Sequence, residues 1–217
     1  MTRYRKQADL EEAITALGKI EPRLAQVHKT HGTPSLRKAK PTLETLLKVV
    51  TEQFLSIKAA DAIWARAKAK IGDITPENVA AVSVEAFLAV GVSRGKAKCF
   101  HSCASAHLNF SELSKSPIED LRKVLLSIWG VGPWTADIYL LAVVGHTDAW
   151  PVGDVALQAA AQNLFNLRKR PDAKKLEKMG AKWRPHRAAA ARLLWTHYRH
   201  MKEMPQLFDA ILAPSQD

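Results

Sequence analysis

The chain has 217 residues, with 32 Lys and Arg against 21 Asp and Glu, giving a formal charge of +11. That length suits one large domain or two small lobes with a substantial core, and 47% apolar with 24% charged residues excludes a disordered composition. No apolar run reaches the roughly 20 residues of a membrane-spanning helix, and Cys99 and Cys103 alone build neither a disulfide framework nor a four-cysteine iron–sulfur cluster. The polar start Thr2-Arg3-Tyr4-Arg5-Lys6 does not read as a secretory leader, so a soluble cytoplasmic protein that is not secreted is expected. Lys and Arg are spread along the whole chain, as on a folded surface facing phosphates, which makes nucleic acid the first candidate partner.

Taken in chain order, the hydrophobic pattern predicts helix after helix. Leu10, Ala13, Ile14 and Leu17 recur at i, i+3, i+4 and i+7, and Gly18 is expected to stop that helix. A loop rich in Gly, Pro, Ser and Lys runs from His31 to Pro41, where the chain is expected to cross between lobes. Thr42 reads as an N-cap, with Leu43, Leu46, Leu47 and Val50 on one face beyond it. Further helices are expected from Ala59 to Lys70, after Thr75-Pro76, from Ser83 to Val90 and from Arg94 to Asn109. Cys99 and Cys103 fall on one face of the last of these and read as buried thiols. A final long helix starts at Arg184-Pro185 and runs through Ala188 to Tyr198, followed by a short tail. No segment alternates apolar and polar residues with β-branched enrichment, so the expected fold class is all-α.

Two features carry chemistry. Leu121, Val124, Leu125 and Ile128 mark a helix ending at Trp129-Gly130-Val131-Gly132, and Pro133-Trp134-Thr135-Ala136 starts another at once. Two helices joined by Gly-Val-Gly form a tight hairpin whose N–H groups suit a phosphate, although a plain turn between packed helices has the same spacing. Further on, Trp150-Pro151-Val152-Gly153-Asp154 delivers one carboxylate on a rigid loop to the mouth of a helix. Alone, Asp154 reads first as an N-cap. That reading is compatible with a chemical role, because a capping carboxylate is rigidly held.

The run from Ile128 to Ala136 followed by Pro151-Val152-Gly153-Asp154 resembles the helix-hairpin-helix plus Gly/Pro-Asp signature of the base-excision DNA glycosylase superfamily. Glu52-Gln53-Phe54-Leu55-Ser56 resembles that family's Gln-Gln-Leu-Ser segment, and Trp183 through Trp195 resembles the C-terminal helix of its 3-methyladenine glycosylase II branch. The resemblance implies two helical lobes with a DNA-binding cleft between them. One lobe would hold the terminal helices, about 1–42 and 150–217, and a central lobe, about 43–149, the hairpin.

Within that family, bifunctional members carry a Schiff-base lysine where this chain has Trp134, so the resemblance implies a monofunctional enzyme that removes alkylated purines of the 3-methyladenine and 7-methylguanine type. Trp134 and Trp195 are then candidates for stacking on the cationic base. Asp154 is the candidate for stabilising oxocarbenium charge and orienting water. Gln53, Phe54 and Leu55 would fill the gap left by the extruded base, with Phe54 as the wedge; the competing reading of Phe54 is a core residue of its helix. Gly130, Val131, Gly132 and Thr135 would bind phosphate through the hairpin backbone. The backbone carbonyls of Leu126, Ile128 and Val131 are candidate holders of a structural Na+ or K+, with no cofactor required. Arg184, Arg187, Arg192 and Arg199 are further phosphate candidates, whereas Lys96 and Lys98 read equally as solvated surface. Val155, Ala188, Ala189 and Arg192 are positions where pocket shape would vary.

The expected partner is double-stranded DNA carrying a damaged base, met by a monomer. Two other readings stand beside this one. The same fold could act on hypoxanthine or an oxidised base, or the chain could be a non-catalytic hairpin module in which Asp154 only caps a helix.

Overall fold

The computed structural model describes residues 2–36 and 38–202, and the tail expected after the last helix lies outside them. Among those residues the chain is helical, and its extended pairing is an isolated bridge between Arg3 and His146. It divides into two compact units. Of the described residues, one takes the N-terminal stretch through Lys38 together with 140–202, and the other runs from Ala39 to Tyr139. The second boundary therefore falls inside the helical run after the hairpin, not at about 149. At that point the helix widens to π geometry over Leu140–Val144, and Arg192 donates to the carbonyl of Leu141.

The first unit begins with α1 (Gln7–Ile20) and α2 (Pro22–His31). Gly18 does not end α1 as expected. It sits inside the helix, where an added Cβ would approach that of Ala25 to 3.1 Å, so the glycine serves close packing of α1 on α2. The break comes at Pro22, at the first position of α2, where a missing N–H costs nothing.

The second unit holds α3 (Leu43–Glu52), α4 (Ile57–Ile71), α5 (Pro76–Ala81), α6 (Val84–Ala89), α7 (Arg94–Ser105), α8 (Phe110–Leu113), α9 (Ile118–Ser127) and α10 (Pro133–Tyr139). Short polar residues set most of these starts. Thr42, Ser56, Thr75, Ser83 and Ser93 each accept from the backbone N–H three residues on, each worth about 1 kcal/mol. Leu46, Leu47, Val50, Phe87, Phe100, Leu121 and Leu125 are buried in its core. Phe87 meets Phe100 edge to face at 5.3 Å.

The chain then returns to the first unit with α11 (Val155–Leu164), α12 (Ala173–Gly180) and α13 (Arg187–Lys202). Leu10, Leu17, Leu24, Leu157, Leu176 and Leu193 are buried there. Trp150 and Trp183 are buried there too and meet edge to face at 5.5 Å.

Candidate active site and DNA-contact segments

The carboxylate centre is built by a loop that leaves little freedom. Pro151 accepts from the N–H of Asp154 at 2.9 Å, and the side-chain amide of Gln158 donates to the carbonyl of Val152 at 2.9 Å. Asp154 then caps α11, its Oδ1 accepting from the N–H of Leu157 at 2.8 Å. The same Oδ1 accepts from the indole Nε1 of Trp195 on α13 at 3.1 Å. Two donors thus fix the half-buried carboxylate. Trp195 is 1% exposed. It presents no open ring face, so the expected stacking role gives way to that of an indole donor locked in the core.

The hairpin lies in the other unit. Gly130 has φ +85, and a Cβ there would lie 2.7 Å from that of Cys99, so both conformation and packing require glycine. Gly132 has no left-handed backbone; its Cβ position opens on empty space, which leaves the backbone approachable. Val131 is buried, Trp134 half-buried, and Trp129 57% exposed beside the turn. Cys99 and Cys103 are buried with sulfurs 4.0 Å apart. The bond to Cys99, with burial second, pushes the Cys103 thiol far up. Among the described residues no His, Cys, Asp and Glu group could hold a metal ion.

The segment after α3 carries the third group of candidates. Phe54 is fully exposed with φ +58, and Leu55 is partly exposed. The core reading of Phe54 is therefore overturned, because α3 ends at Glu52 before the ring can reach its inward face. A bulky residue in left-handed backbone costs about 1–3 kcal/mol and persists only where surroundings hold it. Gln53 supplies one hold, donating its amide to the carbonyl of Gly130 at 3.2 Å and to the Thr135 hydroxyl at 2.7 Å. Gln53, Gly130 and Thr135 are thereby brought together, with the buried Thr135 hydroxyl accepting from Gln53.

Lys96 supplies the other hold, and sequence reasoning missed it. Its Nζ donates to the carbonyls of Thr51 and Gln53, both at 2.7 Å. Burial draws the ammonium below its usual range, against the pull of Glu52. Burial also pushes the Glu52 carboxyl up to about 8, with Lys48 and Lys96 opposing and Asp61 adding to the rise.

Three of the four arginines proposed for phosphate are structural. Arg187 is buried, gripping Asp148 through Nε at 2.8 Å and Nη2 at 2.9 Å, and Glu177 through Nη1 at 2.8 Å. Arg192 and Arg199 are buried as well. Arg184 is exposed but bonds Asp148 at 2.9 Å. Of the positions thought to shape a pocket, Ala188, Ala189 and Arg192 are buried, and Val155 is exposed next to Asp154.

An all-helical chain with a Gly-Val-Gly hairpin and a capped carboxylate behind a Pro/Gly loop belongs to the helix-hairpin-helix class. More narrowly, residues 47–186 match the HhH-GPD superfamily of base excision DNA repair proteins, and the chain belongs to that family. It is 28% identical over 201 residues to alkylbase DNA glycosidase-like protein mag2 of Schizosaccharomyces pombe, covering 88% of this chain and 94% of that protein. It is 27% identical to the solved S. pombe 3-methyladenine DNA glycosylase Mag1 in complex with abasic DNA, with a TM-score of 0.74 over 89% of this chain and 97% of the other. The DNA-3-methyladenine glycosidase of Bacillus halodurans is 30% identical, with a TM-score of 0.69 over 93% and 96% of the two chains.

Proposed function

We propose that this protein is a monofunctional DNA glycosylase that extrudes alkylated purines, of the 3-methyladenine and 7-methylguanine type, from duplex DNA and hydrolyses their N-glycosidic bond. The observation that carries the reading is the Asp154 carboxylate held by the Leu157 and Trp195 N–H groups, in a chain of this repair family. Relatives named for alkylated bases, in yeast and in Bacillus, support the substrate class.

Alkylation at N3 or N7 makes the purine cationic, so the C1′–N bond breaks with its electron pair neutralising the base. The sugar is left as an oxocarbenium ion. A fixed anion stabilises that charge. Water then attacks C1′, and its proton passes to the carboxylate or to solvent. Trp134 stands where bifunctional relatives have lysine and has no amine for a Schiff base; as a stacking surface it would add about 0.5–2 kcal/mol on a cationic base. Phe54 acts as the wedge, the hairpin backbone holds a phosphate, and a monomer is sufficient. The carbonyls of Leu126, Ile128 and Val131 lie at or just beyond the C-terminal end of α9, where the negative helix end suits a monovalent cation; the Ile128 carbonyl also accepts from the N–H of Val131 at 3.1 Å.

Free-base release from methylated duplex DNA, followed by chromatography, tests the reading with wild type beside Asp154→Asn. Wild type is expected to release methylated purines and leave the abasic strand uncut. The variant should lose about 10²–10³-fold in rate, while melting normally, because Asn caps a helix as well as Asp. Full activity in Asp154→Asn would refute the catalytic role, and no release by wild type would refute the substrate class.

A further inference from the structure

Helices that end in a left-handed residue usually place glycine or asparagine there. The chain places Phe54 at that position, just beyond the Gln53 cap of α3. The N–H of Gln53 reaches back only to Val50, at 3.3 Å, and that of Leu55 to Glu52, at 3.2 Å. The carbonyls of Thr51 and Gln53 are taken instead by one ammonium. Lys96 projects from the first turn of α7, half-buried, with its Nζ 2.7 Å from both oxygens. A cation at a helix C-terminus is favoured by the helix dipole, and these bonds are charge-assisted. They grip the backbone on both sides of Glu52, immediately before the exposed ring.

We propose that Lys96 is a positioning residue for base extrusion: by clamping the carbonyls of Thr51 and Gln53 it fixes the left-handed backbone of Phe54 and holds the ring out as the intercalating wedge. Gln53, tied to the hairpin, provides the opposite anchor. Lys96 touches neither base nor sugar in this scheme and acts through Phe54. The assignment deepens the glycosylase reading and rests on it.

The test compares Lys96→Met, Lys96→Arg, Phe54→Ala and the Lys96→Met/Phe54→Ala double variant in the full chain. Excision of methylated purines is measured in duplex and in single-stranded DNA, which needs no wedge. Lys96→Met is expected to lower duplex excision about tenfold to a hundredfold, to leave single-strand excision within about twofold, and to add nothing to Phe54→Ala. Lys96→Arg, which keeps the donors, should restore most of the duplex rate. Equal losses on both substrates, or additive losses in the double variant, would overturn the assignment and mark a general packing role. Lys96→Gln replaces Lys96→Met if the latter does not fold. Fluorescence of 2-aminopurine opposite an abasic-site analogue gives an excision-independent readout. If wild type unstacks the probe and Lys96→Met does not, the clamp stands even where no methylated base is released. Equal unstacking by both refutes it.

Discussion

The Asp154 carboxylate shares one oxygen between a backbone N–H and the Trp195 indole. The division of labour makes the two donors separable. Losing the backbone bond would unravel the start of α11, whereas losing the indole removes only orientation. Trp195→Phe keeps an aromatic ring in the core and deletes the donor. A hydrogen bond to a charged group is worth about 1.5–3 kcal/mol, so single-turnover excision should fall about tenfold to a hundredfold while DNA binding stays near wild type. A rate equal to wild type would mean that the indole bond does not position the carboxylate.

At the scale of the helix, the end of α3 couples structure to pH. Burial raises Glu52 from 4.5 to about 8. Between those values the folded chain holds a proton that the unfolded chain has released, so stability falls as pH rises through that window. Glu52→Gln should therefore raise the melting temperature at pH 8.5 and change it little at pH 5. A wild-type melting temperature that is flat from pH 5 to 8.5 would contradict this.

The same element marks the limit of what periodicity reveals. Phe54 follows Val50 by four residues and continues the stripe of Leu43, Leu46, Leu47 and Val50, so pattern alone buries it. The helix stops two residues short, and the ring turns outward. Caps were legible because Thr42 and Asp154 act on backbone three residues away. The α2 and α12 helices went unread, being short and polar with few buried positions. Gly18 misled because a glycine at a helix crossing looks, in one dimension, like a terminator. The Lys96 contact joins residues more than forty apart and leaves no local trace.

At the scale of the whole molecule, the surplus of positive charge was legible but its assignment was not. Several of the most suggestive arginines hold the fold together, as Arg187 does with Asp148 and Glu177. Removing a buried cation strands its partners, so Arg187→Ala should cost about 3–5 kcal/mol of stability. Its effect on the salt dependence of DNA binding should be nil, whereas each true phosphate contact contributes about −0.9 to the log–log slope. Denaturant melts and binding titrations at several salt concentrations, made on the same variant, separate the two roles. A slope shallower by about one would return Arg187 to the DNA surface.

Phe54 has no packing partner of its own, since its ring stands wholly in solvent. Its side chain is therefore under no obligation to the core, and position 54 can accept bulky replacements that any buried phenylalanine site would reject. A photo-reactive or fluorescent aromatic installed there would sit at the tip of the loop without remodelling what lies beneath it. The residue assigned to enter the double helix is thus also the natural place to attach a reporter that records when it does.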